Sequence, residues 1–369
     1  MSLSIGIVGL PNVGKSTLFN ALTKKCVPAE NYPFCTIDPS VGVVAVPDER
    51  IWQLSKFSSS KKTIPAAVEF VDIAGLVAGA AKGEGLGNKF LTNIRETDAI
   101  LEMVRLFPIQ GGGTEITHVY GEVDPMRDIG VINLELVLSD METVSKRISN
   151  VQRDVKSGNK DAIAEDVILR KIEKILEEGK MASQVQLSDD EKFKIKSLNL
   201  LTLKPVLYAL NRRAGAENFD KSNPEKFAEL LKFISDSKAG YVFVDAKIED
   251  ELKDFEGEEK EMFRKEMGVE DSGINNLISE AYKLLGLMSY FTTGEDETRA
   301  WTIKNGSTAP VAGMAIHTDF KDKFIRAEVI NWKDLLDAGS YANARAKGLV
   351  RLEGKEYVVK DGDVIEFKI

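Results

Sequence analysis

Eight residues near the start of the chain have the types and spacing that hold a phosphate. They read Gly9-Leu10-Pro11-Asn12-Val13-Gly14-Lys15-Ser16. The glycines let backbone N–H groups curl around a β-phosphate, the lysine reaches the β and γ oxygens, and the serine hydroxyl ligates Mg²⁺. An apolar run leads into the loop as a buried strand would, and residues 17–22 leave it with helical spacing. The sequence predicts a P-loop nucleotide site formed by Asn12, Val13, Gly14, Lys15, Ser16 and Thr17.

A second element fits the magnesium side of the same site. Asp72 ends the apolar run 68–72, and Gly75 follows it at the Asp-x-x-Gly spacing. A carboxylate at the carboxyl end of a strand can hold a Mg²⁺ water, and the glycine amide can sense the γ-phosphate. Thr36, in the loop between these elements, is a further candidate ligand, although an ordinary loop threonine is the alternative. The predicted cofactor is Mg²⁺, held by Ser16, Thr36 and Asp72.

The segment after Asp72 predicts a switch. Leu76 occupies the position that carries a water-orienting glutamine in Ras-like enzymes, and leucine can neither orient nor polarise water. Either hydrolysis is negligible or another group positions the water. Four glycines between residues 79 and 87 suit an order–disorder switch governed by the γ-phosphate, with a flexible connector as the alternative. Gly75 and Leu76 are the predicted switch residues.

Composition limits the class of protein. The chain has 369 residues, 43% of them hydrophobic and 29% charged, which is typical of a globular protein of two or three domains. Its net charge of -9 argues against coating nucleic acid by bulk electrostatics. Two cysteines, Cys26 and Cys35, build neither a disulfide framework nor a four-ligand zinc site. With no apolar stretch of about 18 residues and no secretory signal, we expect a cytoplasmic protein without a membrane partner.

Apolar spacing predicts a helical insertion. Met141, Val144, Ile148, Val151 and Val155 recur at the spacing of a coiled-coil seam, and Ile168, Ile172 and Ile175 resume it after a turn at residues 156–160. Ser188 and Glu191 have capping-box spacing for another helix. We predict an antiparallel helical coiled coil over residues 133–200. A mere spacer is as compatible with the sequence as a partner-binding arm.

The remaining chain divides around this insertion. Strands alternate with helices over residues 1–132 and 201–284, which predicts a doubly wound α/β nucleotidase domain. The strands at 205–210 and 240–244 end at Asn211 and near Asp245-Ala246-Lys247, in the crevice where such domains hold a base. Asn211 and Arg212 are therefore predicted nucleotide-binding residues. Residues 285–369 form short strands and turns, with hairpin-turn chemistry at Asp361-Gly362.

These motifs together resemble the YchF branch of the Obg-related P-loop proteins, the Obg-like ATPases, over essentially the whole chain. The longest matching segments are FVDIAGLVAGAAKGEGLGNKFLTNIRETDAI, RAWTIKNGSTAP and VKDGDVIEF. The resemblance implies a nucleotidase domain interrupted by an antiparallel coiled coil and followed by a TGS domain, a β-grasp module. It also implies ATP rather than GTP hydrolysis, and association with ribosomes. A slow cytoplasmic ATPase is the first hypothesis, with a GTPase or a non-hydrolysing nucleotide sensor as alternatives, and we expect a monomer.

The resemblance also suggests two catalytic features. The match at Thr117-His118-Val119 makes His118 a candidate water-positioning group beside Lys15, with a structural histidine as the alternative. Asn12 occupies the position that related cation-dependent enzymes use to help hold K⁺, with a turn former as the alternative.

Base recognition departs from the family pattern. The relatives usually show Asn-x-x-Glu, whereas this chain reads Asn211-Arg212-Arg213-Ala214. Ala214 cannot accept hydrogen bonds from guanine, unless water or Glu217 compensates, whereas the Asn211 amide can meet both N6 and N7 of adenine. The sequence therefore predicts a modest preference for ATP.

Overall fold

The computed structural model describes residues 3–24, 40–73, 88–108, 122–255, 257–267 and 273–369. The predicted residues Thr36, Gly75, Leu76 and His118 lie outside this part of the chain, as do both cysteines. The strands are β1 (Ser4–Val8), β2 (Val41–Ala45), β3 (Lys62–Ile64), β4 (Ala67–Asp72), β5 (Ala99–Arg105), β6 (Val206–Asn211), β7 (Gly240–Val244), β8 (Leu287–Thr293), β9 (Glu297–Lys304), β10 (Arg326–Asn331), β11 (Arg351–Glu353) and β12 (Asp363–Lys368).

The helices lie between these strands, singly or in runs. They are α1 (Lys15–Thr23), α2 (Glu49–Ser58), α3 (Asn88–Glu96), α4 (Pro125–Lys156), α5 (Lys160–Glu177), α6 (Asp189–Ile195), α7 (Phe219–Ser222), α8 (Pro224–Asp236), α9 (Ala246–Glu251), α10 (Gly257–Glu266), α11 (Gly273–Leu284), α12 (Ala309–Gly313), α13 (Asp319–Asp322), α14 (Trp332–Ala338) and α15 (Tyr341–Ala346). Within the described ranges, none of them has the length and apolar character required to span a membrane.

The chain forms two compact units. Among the described residues, the first unit contains 3–24, 40–42 and 69–277, and the second contains 43–68 and 278–369. The sequence-based boundary placed residues 43–68 inside the nucleotidase domain, whereas they cluster with the C-terminal segment. The reason is that β3 pairs in parallel with β9 over Lys62–Ile64.

A six-stranded sheet with the order β2-β4-β1-β5-β6-β7 organises the first unit. Strands β4, β1, β5, β6 and β7 are all parallel. Every residue of β5 is buried, as expected for a central parallel strand. Because parallel strands end at one edge of a sheet, the P-loop after β1, Asp72, Asn211 and Asp245 come to the same edge.

The helical insertion is a hairpin of α4 and α5. Asn159 caps α5 by accepting hydrogen bonds from Asp161 and Ala162 N–H groups, after a turn in which Gly158 has φ 81°. The buried cluster between the helices contains Val144, Ile148, Ile168 and Ile172, as predicted. On the return helix, however, Leu169 and Leu176 enter the cluster in place of the predicted Ile175. The α5 stripe facing α4 is therefore rotated relative to the predicted one.

Polar contacts fix the base of this hairpin. Asp140, fully buried on α4, accepts hydrogen bonds from the backbone N–H groups of Leu201 and Thr202 at 3.0 and 2.7 Å. These residues begin the return of the chain to the parallel sheet. The predicted capping box of Ser188 and Glu191 is confirmed at the start of α6.

A mixed six-stranded sheet with the order β11-β10-β12-β8-β9-β3 forms the second unit. The predicted turn at Asp361-Gly362 is present, because Gly362 has φ 85° and the Asp363 N–H donates to the Lys360 carbonyl. The prediction that this turn joins two paired strands of a hairpin is wrong. Strand β12 pairs with β10 and β8, whereas Val358 forms only an isolated bridge to Thr308.

Candidate nucleotide-binding site

The P-loop backbone needs its glycines. Gly9 and Gly14 have φ 149° and 104°, in the region that side chains rarely adopt. A Cβ on Gly9 would lie 2.6 Å from the Met103 carbonyl oxygen, and one on Gly14 would lie 2.6 Å from the Asn211 Nδ2. The loop is thus packed against β5 and β6 so closely that only glycine fits.

Lys15 begins α1 and is buried inside this loop. Its side chain is 6% exposed, and its Nζ donates to the Leu10 carbonyl at 2.6 Å. Burial lowers the pKa of Lys15 to about 8, against the opposing effect of the Asp72 carboxylate. A polyphosphate in the loop would supply the negative charge that a buried ammonium needs.

The predicted magnesium ligands have suitable chemistry. Asp72 ends β4 directly beside β1, in register with Ile7, and its backbone N–H donates to the Ser40 carbonyl at 2.8 Å. Ser16 is exposed in the first turn of α1. A carboxylate and a hydroxyl are the hard oxygen donors that Mg²⁺ prefers, so these residues fit the ion.

The other predicted P-loop residues take distinct environments. Val13 is buried, Thr17 is half-buried and Asn12 is exposed. Asn12 has φ 64°, a conformation common for asparagine in turns. This geometry agrees with the turn-former interpretation of Asn12.

Asn211 joins the P-loop to the end of β7. Its Nδ2 donates to the Val13 carbonyl at 2.8 Å, and its Oδ1 accepts from the Ala246 N–H at 3.1 Å. The sequence predicted that this amide meets the base. In the structure, both the nitrogen and the oxygen of this amide form hydrogen bonds to the protein backbone, because Asn211 ends its strand in register with Val244.

Arg212 does not turn toward the P-loop. Its Nη2 donates to Asp220 Oδ2 at 3.0 Å, and its guanidinium carbon lies 3.4 Å from the centre of the Phe243 ring. Arg213 faces the candidate base cavity in its place.

That cavity has a volume of about 320 Å³ and lies between the loop after β6 and the start of α9. Ala214 donates its N–H to Asp245 Oδ2 at 2.7 Å across the cavity wall. The sequence placed Asp245 at this edge without a role. The residues that line the cavity are Arg213, Ala214, Gly215, Asp245, Lys247, Ile248, Glu251 and Met267.

Sequence reasoning missed Arg105. Its guanidinium, at the end of β5, donates to the carbonyls of Asn12 at 3.3 Å and Phe107 at 3.1 Å. Arg105 therefore stabilises the P-loop by a hydrogen bond to its backbone. Burial and the charge of Arg213 lower its pKa, while Asp128 opposes the shift. A lone basic residue ending an otherwise largely apolar buried strand was the available signal.

Comparisons with known proteins agree with this geometry. A family model described as 50S ribosome-binding GTPase matches residues 4–133. The model YchF-GTPase_C, described as a protein of unknown function, matches residues 287–369. A Bacillus subtilis protein named Ribosome-binding ATPase YchF is 52% identical over 368 residues, which cover 100% of this chain and 99% of that relative. The Escherichia coli O157:H7 protein of the same name is 48% identical over 370 residues, with the same coverage.

The solved structure of the Schizosaccharomyces pombe YchF GTPase is also similar. It matches with a TM-score of 0.88 and 38% identity, and the match covers 100% of this chain and 98% of that one. The protein is therefore a P-loop nucleotide-binding protein with the α/β fold of that class. Within that class, the chain belongs to the YchF family.

Proposed function

We propose that the protein is a Mg²⁺-dependent P-loop ATPase that turns over slowly in the cytoplasm and changes its binding to the ribosome with nucleotide state. The observation that carries the nucleotide part is Lys15, whose ammonium is enclosed by the glycine-shaped loop beside Asp72. The ribosomal part is supported by the name shared by the bacterial relatives, Ribosome-binding ATPase YchF.

The roles of the site residues follow from their positions. Lys15 binds the β and γ oxygens, and the N–H groups of residues 13–17 surround the β-phosphate. Ser16, Asp72 and Thr36 would hold Mg²⁺, which neutralises phosphate charge when bound. Asp72→Asn should chiefly weaken the dependence of binding on Mg²⁺, whereas Lys15→Ala should abolish tight triphosphate binding in equilibrium dialysis.

The names of the relatives do not agree on which nucleotide base is preferred. The bacterial relatives are named ATPases, and the fission yeast structure is named a GTPase. Our proposal favours ATP because Ala214 offers no carboxylate to guanine. Titration of ATP and GTP in Mg²⁺ tests this directly, and tighter GTP binding would make the protein a GTPase.

The water-positioning group remains His118 in this proposal. His118→Ala should slow hydrolysis by about 10²-fold without weakening binding, the usual scale for loss of acid–base catalysis. Because Asn12 is the K⁺ candidate, the same assay in K⁺ and in Na⁺ tests whether a monovalent ion contributes. Equal rates in the two salts would reject that contribution.

Hydrolysis separates an ATPase from a nucleotide sensor. Single-turnover phosphate release should be slow for the protein alone and faster with ribosomes, and absent for Lys15→Ala in both conditions. No phosphate release by the unsubstituted protein in either condition would support the sensor.

The proposal also includes an antiparallel coiled coil over 133–200 and a TGS domain over 285–369. The α4–α5 cluster supports the first and the mixed sheet supports the second.

A further inference from the structure

One carboxylate joins the two loops that line the cavity beside the P-loop. Asp245 Oδ1 accepts the Ile248 N–H at 3.1 Å, which caps α9. Asp245 Oδ2 accepts the Ala214 N–H at 2.7 Å, from the loop after β6. Two backbone donors on different loops therefore fix the orientation of this side chain.

The cavity is connected to the phosphate site by a short chain of contacts. Ala246, the residue after Asp245, donates its N–H to Asn211, and Asn211 donates to the Val13 carbonyl in the P-loop. A Cβ on Gly14 would lie 3.7 Å from the Ala246 Cβ. A base attached to a triphosphate in the P-loop would therefore lie within reach of Asp245.

Asp245 is the best-placed acceptor side chain in this cavity. Ala214 has none, and Glu217 is exposed and is absent from the cavity lining. Glu251 also lines the cavity but lies 3.5 Å from the Lys247 ammonium. An ionised carboxylate offers about four lone-pair sites, and the two backbone N–H groups use two of them.

We propose that Asp245 determines base specificity by accepting a hydrogen bond from the exocyclic amino group of a purine. It supplies, from the β7–α9 loop, the carboxylate that Ala214 does not supply from the β6–α7 loop. This inference rests on the proposed nucleotide site. The shared ligand chemistry is an amino group, N6 of adenine or N2 of guanine.

Paired ligands test the inference. Affinities of Mg²⁺ complexes are measured for ATP against purine riboside triphosphate, which lacks N6, and for GTP against ITP, which lacks N2. The unsubstituted protein should prefer the amino-bearing member of the ATP pair by about 10- to 100-fold, the range for a hydrogen bond to a charged group. A preference confined to the GTP pair would identify N2 as the donor and would assign guanine as the base.

The key variant is Asp245→Asn. Its amide oxygen can still accept the Ile248 N–H and cap α9. Its NH₂ group takes the place of Oδ2, so the oxygen that would accept the hydrogen bond from the purine amino group is lost. The preference should fall to nearly one, with the affinity for Mg²⁺-tripolyphosphate unchanged. Asp250→Asn is the matched control, because Asp250 lies in α9, the helix that Asp245 caps, pairs with Lys253 and is not part of the cavity lining. It should keep the preference.

A second variant pair covers failure of Asp245→Asn to fold. Asp245→Ser should also lose the preference, and Asp245→Ser with Ala214→Glu should restore at least part of it by returning a carboxylate from the other loop. The inference is overturned if the wild-type protein shows no preference, if Asp245→Asn or Asp245→Ser retains it, or if the substitution weakens every ligand equally. Failure of the wild-type protein to bind Mg²⁺-tripolyphosphate would instead overturn the proposed nucleotide site.

Discussion

Lys15 carries its positive charge inside the protein, and this makes nucleotide binding depend on pH. Burial lowers its pKa from 10.5 to about 8, so the free protein loses the proton as the pH rises through 8. A bound triphosphate favours the charged lysine, so binding takes up a proton above that pH. ATP affinity should therefore be independent of Lys15 titration below pH 8 and fall by up to about tenfold per unit above it.

Calorimetry in two buffers with different ionisation heats measures this proton uptake directly. Lys15→Arg supplies the comparison, because a guanidinium stays charged over the same range. An affinity that stays flat between pH 7 and 9.5, with no proton uptake, would contradict the assigned shift.

We predict that Asn211 acts through the P-loop rather than through the base, because both atoms of its amide bond to the protein. Asn211→Ala removes the donor to Val13 and the acceptor for Ala246, each buried. Leaving such partners unpaired costs about 1 to 3 kcal/mol. ATP, GTP and tripolyphosphate should therefore all bind more weakly by similar factors. Asn218→Ala is the control, because Asn218 is a buried asparagine whose side chain bonds to the Arg213 backbone and not to the P-loop. It should leave tripolyphosphate affinity unchanged. Loss of only the base preference in Asn211→Ala would contradict the role of Asn211.

At the scale of elements, the α4–α5 hairpin depends on a few buried contacts between its helices. Leu169→Ala should destabilise the hairpin by about 2 to 5 kcal/mol, because the side chain is fully buried in the cluster. Leu138→Ala on α4 is the matched control, since Leu138 is 56% exposed and its loss should change stability by no more than about 0.5 kcal/mol.

Hydrogen exchange over residues 141–176 locates the effect. Faster exchange in Leu169→Ala, with unchanged ATP affinity, is expected because the buried cluster that contains Leu169 includes no P-loop residue. Equal protection in the two variants would show that Leu169 does not hold the hairpin together.

At the scale of the whole molecule, the second unit is assembled from two distant segments. Arg50, from the segment 43–68, donates to Asp48 at 2.8 Å and to Asp361 at 2.6 Å. Its guanidinium carbon lies 5.2 Å from the centre of the Phe291 ring. These contacts hold α2 against the C-terminal sheet.

Arg50→Met should lower the stability of this unit by about 1 to 3 kcal/mol, because it removes charge-assisted hydrogen bonds while keeping part of the aliphatic stem. Tryptophan fluorescence reports this unit selectively, since Trp52, Trp301 and Trp332 are the only tryptophans and all lie in it. Lys61→Met should leave the fluorescence midpoint unchanged, because the Lys61–Asp296 pair is exposed. An unchanged midpoint in Arg50→Met would contradict the role of Arg50.

Features that depend on local chemistry can be predicted from the amino-acid sequence alone. The glycines at 9 and 14, the strands ending at Asp72 and Asn211, and the cap at Ser188 were all predictable, because backbone conformation and short-range hydrogen bonds require particular residue types. The rotated stripe of α5 was not, because Leu169 and Ile175 are equally apolar and only the partner helix selects between them.

Contacts between residues far apart in the chain depend on how the strands pair. Asn211 bonds to Val13 across 198 positions, so its amide faces the P-loop rather than being left free for a base. Asp245 meets Ala214 only because β6 and β7 are neighbours. Residues 43–68 join the second unit because β3 pairs with β9 at the edge of its sheet. The order in which strands pair cannot be read from local patterns, and that order places each of these side chains.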